Sequence, residues 1–330
     1  MQLVEQHIIS KGDPRYAAID RAAFASKNLY NAANYLVRQA FIFQGKYLGY
    51  GEVFHLIKGH EAYQALPRKV SNDVLRLLDK NWKSFFRAIE AWKAHPEQFL
   101  GRPKLPNYKQ KDKGRTILTY DIQALSKTAL RKGVIAPSQL GIEVHTHQQS
   151  VKQVRIVPKS THYVIEVVYE QEPEQARVDA SLVAGIDLGV DNLATLTSTR
   201  PGFVPVLING KPLKSLNQGY NKRRAELQSQ LKNRFTSQQL EQITEKRNRR
   251  IKHLLHRASK WIIELLVAEG IGTLVIGYNP EWKQECNIGK RNNQNFVNIP
   301  HARFLQMLTY KAHLGRNTRA HHGRVLYQQV

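Results

Sequence analysis

The stretch Ser181 to Ser198, SLVAGIDLGVDNLATLTS, holds the residues best placed to do chemistry. An apolar run, Leu182-Val183-Ala184, leads into Gly185-Ile186-Asp187-Leu188-Gly189. After Asp191-Asn192 a second β-rich run covers Leu193 to Leu196. That pattern predicts a buried strand, a tight turn and a second strand. It sets the Asp187 carboxylate inside the first strand or at its end. A buried charge is costly unless it is paired or binds a cation. Asp187 is therefore a candidate ligand for a metal or a phosphate-bound metal. The plainer alternative is a turn aspartate at a strand end.

Such a residue needs a framework and a partner. The 330 residues suffice for two domains with real cores, and 42% hydrophobic content belongs to a folded protein. Lys and Arg number 50 against 26 Asp and Glu, a net charge of +24. A surplus of that size points to a polyanion partner, most commonly nucleic acid. No apolar run approaches the length of a membrane span, MQLVEQHIIS is not a signal peptide, and no lipidation signal occurs. The expectation is a soluble, cytoplasmic, nucleoid-associated chain with neither a membrane nor a small-molecule partner. Cys286 is the single cysteine, which excludes an internal disulfide or CxxC zinc site, so no zinc is expected in this chain.

The hydropathy pattern outlines the elements. Residues 2–9 predict a strand. Asp13-Pro14 predicts a helix start with Asp13 as N-cap, and Leu29, Ala33, Leu36, Val37 and Ala40 recur at helical spacing. A second helix from about Ser71 carries Val74, Leu77, Leu78, Phe85, Ile89 and Trp92 on one stripe and ends near His95-Pro96. Helices thus fill about 14–95, and residues 116–170 read as β-rich. A polar stretch from Glu170 to Asp179 separates a half spanning 1–178 from a domain spanning 179–312. In that domain Val204 to Ile208 predicts a third strand. Helices follow over Lys214–Phe235 and from Ser237 to about Glu269, then a buried strand over Gly272–Gly277. The second helix shows an apolar stripe at Leu240, Ile243, Ile251, Leu254, Ala258, Trp261 and Leu265.

Two segments are candidates for polyanion contact. Two prolines and a glycine keep Leu100 to Lys111 extended, and Arg102, Lys104, Tyr108, Lys109 and Lys111 make it basic. Lys and Arg on a stiff segment neutralise phosphates without reading sequence; the alternative is a solvated charged loop. The long helices carry Lys222, Arg223 and Arg224 on one arm and Lys246, Arg247, Arg249 and Arg250 on the other. One sign dominates both arms, which favours nucleic-acid contact over a merely solvated face.

Strand–Asp–strand–strand, a long helical insert and a buried strand is the order of an RNase H-like core. A G-x-D-x-G strand also occurs in actin-like kinases and ATPases, but they need a glycine-rich adenosine site that this sequence lacks, and a net charge of +24 is wrong for a small-substrate kinase. Three stretches carry a closer likeness: FLGRPKLPNYK (99–109), AGIDLGVDNLATLTS (184–198) and TLVIGYNPEWKQECNIGKRNNQNFVNIPHARFLQMLTYKA (273–312). On these the chain resembles the OrfB/TnpB proteins of insertion sequences, relatives of type V CRISPR effectors. The resemblance implies a mixed fold, α+β and α/β. An N-terminal β-barrel with a helical recognition insert precedes a RuvC-like, RNase H-like domain with a long helical insert. It further implies a guide RNA from the transposon end and Mg²⁺-dependent cleavage of target DNA beside a short flanking motif. Lys290 and Arg291 join the residues expected to touch nucleic acid.

A RuvC-like site needs about three carboxylates around two Mg²⁺ ions. Asp187 supplies one. The resemblance puts the second at the end of the strand after the long helices, where this chain has Gly277. Glu281 and Glu285 lie nearby, but Pro280 and the loop character argue against a fixed ligand there. The tail HLGRNTRAHHGRVLYQQV (313–330) is unlike a family strand. One nucleotide out of frame, the degenerate code permits LVGIRVLITEESYTSK, a strand closing on a glutamate pair. The expectation is a frameshifted, non-homologous tail on a C-terminally truncated protein. Such a protein has an open sheet edge and no catalysis, and acts as a non-catalytic RNA- or DNA-binding remnant or repressor.

Overall fold

The computed structural model describes residues 1–173, 176–231, 235–277, 289–315 and 325–328, with backbone alone for 325–328, Lys290, Arg291, Asn292 and Asn295. Two compact units emerge, residues 2–171 and residues 172–330 with Met1.

The first unit runs β1 (Gln2–Ser10), α1 (Tyr16–Gln44), α2 (Tyr50–Ile57), α3 (Glu61–Gln64), α4 (Arg68–Ala94), β2 (Leu118–Asp121), α5 (Lys127–Arg131), β3 (Val134–Ile135), β4 (Val144–His145), β5 (Val151–Pro158) and β6 (His162–Glu170). Strands β1, β6, β5 and β2 form one antiparallel sheet in that order. The expected barrel is not closed among the described residues, because the two-residue strands β3 and β4 pair only with each other. Helix α1 begins two residues beyond the predicted start. The Asp13 carboxylate accepts the Arg15 backbone N–H at 2.9 Å and its guanidinium at 2.8 and 2.6 Å, closing a turn ahead of the helix instead of capping it. Leu29, Ala33 and Val37 of α1 and Val74, Leu78 and Trp82 of α4 are buried in one core. On α4 the deep stripe ends at Trp82. Leu77, Phe85, Ile89 and Trp92 are only half-buried, and Phe85 packs edge-on against Phe41 and Trp82.

The second unit runs β7 (Asp179–Leu188), β8 (Asn192–Ser198), β9 (Val206–Asn209), α6 (Lys211–Ser229), α7 (Gln238–Ala268), β10 (Ile271–Gly277), α8 (Lys290–Val297), α9 (His301–Leu314) and β11 (Val325–Gln328). Its sheet is ordered β11-β10-β7-β8-β9. The β7–β8–β9 meander is antiparallel, while β10 and β11 run parallel to β7. Period-two alternation turns Ala184, Ile186, Leu188, Leu196, Leu274 and Ile276 to one face, where they share a core with α7 and α9. The edge of β10, expected to be open, is not: the tail, expected to be unlike a family strand, places Val325–Gln328 beside Leu274–Gly277.

On α7, Leu240 and Ile251 of the predicted stripe are buried, but beyond them the buried residues are Leu255, Ser259, Ile262, Ile263 and Leu266, about one residue out of phase with the prediction. Leu254, Ala258 and Leu265 are half-buried flanks, and Trp261 is 46% exposed. Helix α7 is tied to α9 by Lys311, whose ammonium donates to the His256 carbonyl at 2.6 Å and to Ser259 Oγ at 2.7 Å. Beside it, the His256 ring faces the Tyr310 hydroxyl at 3.5 Å. Burial, with Lys311, Lys252 and His253 adding repulsion, pushes that imidazole down from 6.5 to about 4. Between those pH values the unfolded chain holds the extra proton, so stability is full above pH 6.5 and falls on acidification toward pH 4. The expected result is a melting temperature that declines more steeply over this window in the native chain than in His256→Gln. Parallel declines in the two proteins would refute it.

Candidate nucleic-acid interface and the Asp187 strand

In the first unit, the extended segment after α4 lies along α1, and side chains of that helix hold its backbone. Asn31 accepts the Lys109 N–H at 2.8 Å and donates to the Lys109 carbonyl at 2.9 Å. Asn34 and Arg38 both donate to the Pro106 carbonyl at 3.0 Å, and the buried Lys27 ammonium donates to the Lys111 carbonyl at 2.6 Å. Positions 27, 31, 34 and 38 share one face of a 3.6-residue helix. With its backbone held there, the strip presents Arg102, Lys104, Tyr108, Lys109 and Lys111 exposed to solvent. The Arg38 guanidinium stands 5.2 Å from the Tyr108 ring centre, and Arg102 stands 5.8 Å from that of Trp92.

Asn34 is fully buried and also accepts the Trp82 indole N–H at 3.0 Å. Asn34→Ala leaves the buried Trp82 indole N–H without its partner, a loss of ~1–3 kcal/mol, and leaves the Pro106 carbonyl to Arg38 alone. The expected outcome is a lower melting temperature with faster tryptic cleavage at Lys104, Lys109 and Lys111. Unchanged melting and cleavage would show that the clamp does not hold the strip.

In the second unit, α6 and α7 form an antiparallel pair. The Tyr220 and Thr244 hydroxyls share a hydrogen bond of 3.0 Å. One turn along, the buried Asn217 Oδ1 accepts from Arg247 Nε at 2.9 Å and from its terminal nitrogen at 2.7 Å. Arg247 also donates to the Asn298 carbonyl at 2.9 Å. Its guanidinium is thus bonded inside the unit, where the sequence pattern had grouped it with the outward cations. Lys246, Arg249 and Arg250 are exposed, and with Leu216, His253 and Leu254 they line a groove of about 600 Å³. A second hollow of about 370 Å³ continues past Tyr220 to Arg223. Lys222, Arg223 and Arg224 are exposed on α6, and Arg223 pairs with Glu226 at 2.9 Å. Backbone alone places Lys290 and Arg291 at the start of α8. Pro280, Glu281, Glu285 and Cys286 lie outside the described residues.

Asp187 sits in β7, opposite Thr195 of β8. It is exposed, contrary to the expectation of a buried charge. The same alternation that buries Ile186 and Leu188 turns the residue between them to the other face of the sheet. Its demand for a cation is correspondingly weaker. The tight turn that follows needs Gly189, where a Cβ would come within 2.8 Å of the Asn192 carbonyl oxygen. Asp191, the other acid of the motif, is ion-paired with Lys214, and that hydrogen bond holds its carboxyl below the ordinary value. On β10, Ile276 pairs with Ile186, so Gly277 lies alongside Asp187 in the register. Among the described residues no three His, Cys, Asp or Glu side chains come together to hold an ion. One exposed carboxylate does not fit a two-metal centre, and no metal-dependent step follows from this donor set. No helix among the described residues is long and apolar enough to cross a membrane.

A family model, OrfB_IS605, described as a probable transposase, matches residues 166–283. Among solved structures, a chain of a Cas12f1–sgRNA–target DNA complex is similar at 14% identity and a TM-score of 0.52, over 94% of this chain and 72% of that one. A chain of a CRISPR–Cas12f ternary complex aligns at 13% identity and a TM-score of 0.34, over 95% of this chain and 71% of that one. No curated protein matches.

Proposed function

We propose that the chain, similar over residues 166–283 to the probable-transposase family OrfB_IS605 and in fold to a Cas12f1 chain, is a TnpB/OrfB-like nucleic-acid-binding protein working with a guide RNA from the transposon end and a target DNA. The observation that carries this reading is the face of α7 bearing Lys246, Arg249 and Arg250. Three exposed cations line an apolar-floored groove, and no carboxylate is bonded to them among the described residues. The clamped strip with Arg102, Lys104, Lys109 and Lys111 adds a second cationic surface with a stiff backbone. Stiff cationic surfaces bind phosphates with little ordering cost.

The sheet order of the second unit, an antiparallel meander followed by two parallel strands, supports an RNase H-like, RuvC-like reading. In that reading Asp187 is a retained Mg²⁺ ligand and Gly277 leaves the neighbouring ligand position without a carboxylate. The activity proposed for this chain is therefore binding without cleavage. The test is fluorescence anisotropy of labelled RNA and DNA titrated with the full chain over a salt series. Affinity should fall steeply, with a log–log slope of about −2 or steeper. A flat salt dependence would overturn the reading.

A further inference from the structure

We propose that Trp261 is a stacking platform for one unpaired base of a single-stranded nucleic acid whose phosphates follow the same face of α7. This rests on the nucleic-acid reading above and adds a subsite to it. The indole is 46% exposed although its neighbours Ile262 and Ile263 are buried. It forms one wall of a cleft of about 610 Å³ with Leu193, Ile208, Leu213, Leu254 and Ala258, rimmed by Arg257 and Lys260. An apolar cleft with a flat aromatic wall and a cationic rim suits a group that is planar, apolar on its faces and tied to an anion. A nucleotide has that chemistry.

Charge complementarity selects this occupant. Lys246, Arg250, His253 and Arg257 precede Trp261 at three- and four-residue spacing, so they line one face of the helix over ~22 Å at ~1.5 Å per residue. Leu254 lines both this cleft and the basic groove, so the two adjoin. Glu264 on the rim is paired with Lys260 at 3.5 Å, so the rim remains positive overall. A base inside a duplex has both faces covered by its neighbours, so only an unpaired base offers a free face to the indole.

The test compares the full native chain, Trp261→Ala and Trp261→Phe on two probes of equal length and charge, a labelled deoxythymidine oligonucleotide and its abasic counterpart. Stacking of one base on an aromatic ring is worth ~1–3 kcal/mol, which predicts a roughly five- to 150-fold weaker grip on the base-bearing strand by the alanine variant. Affinity for the abasic strand should not change, and Trp261→Phe should stay within a few-fold of the native chain on both. Equal affinity of native and alanine proteins for the base-bearing strand would overturn the subsite and leave the binding reading standing. A native chain that binds neither strand would overturn that reading itself. If melting shows the alanine variant to be unfolded, intrinsic fluorescence decides. The base-bearing strand, unlike the abasic one, should quench the native chain far more than Trp261→Phe. Equal quenching of the two proteins would refute the platform.

Discussion

Replacing Lys246, Arg249 and Arg250 together by glutamine lowers the affinity for single-stranded RNA or DNA roughly 150-fold, at on the order of 1 kcal/mol for each cation–phosphate pair removed. The same change flattens the salt slope by about 2, since each neutralised phosphate on a single strand contributes roughly 0.7. The three side chains are exposed, so their replacement leaves the core intact and the melting temperature close to native. Arg247 is the internal control. It lies between them in sequence, yet its guanidinium is bonded to Asn217 and to the Asn298 carbonyl. Arg247→Gln should cost stability, because it strips a buried amide of its partner, while leaving the salt slope nearly as it was. Anisotropy over a salt series and a thermal melt of both variants separate the two effects. A triple variant with the native slope would show that nucleic acid does not use this face.

The contrast between Arg247 and its neighbours also marks where sequence reading stops. The apolar run Leu182–Ala184 and the β-rich run Leu193–Leu196 were enough to find β7 and β8, strands whose side chains alternate between faces, and the apolar run after the long helices was enough to find β10. The same alternation already set Asp187 opposite in phase to Ile186 and Leu188. Placing it in a buried strand required a second layer over the other sheet face, and a local pattern carries no information about that layer. Helix α7 has apolar residues on two adjoining tracks, 251-255-262-266 and 254-258-261-265. A 3.6-residue period accommodates either, and docking on the sheet decides which is deeper. That decision is what leaves Trp261 at the surface. The clamp on the basic strip was legible in half. Lys27, Asn31, Asn34 and Arg38 stand at helical spacing, but they grip backbone carbonyls more than 60 residues away, which no side-chain pattern announces. The barrel was expected from resemblance alone, and two-residue strands between β2 and β5 cannot complete one.

Gly277→Asp should create a divalent-ion site beside Asp187. Strands β7 and β10 are parallel and paired through Ile186 and Ile276, so the next residues, Asp187 and Gly277, face the same side of the sheet at the usual strand spacing of ~4.8 Å. Among the described residues, a Cβ built on Gly277 meets nothing closer than the Ile186 carbonyl oxygen at 3.8 Å, an ordinary contact. The new carboxylate therefore fits without moving the backbone. Two carboxylates at that separation repel until a proton or a cation lies between them. Mn²⁺ or Mg²⁺ should then stabilise the variant by ~2.7 kcal/mol at a hundredfold excess over Kd, and the native chain far less. Adding Asp187→Asn to Gly277→Asp should abolish the gain, because an amide supplies neither the charge nor the second anionic oxygen. Calorimetric titration with Mn²⁺ and melts with and without the ion read both effects. A Gly277→Asp protein that takes up no ion, or one that binds equally well with Asn at position 187, would remove Asp187 from any metal chemistry on this sheet. A variant that binds and then cuts labelled DNA would show that the missing carboxylate alone separates this fold from a nuclease.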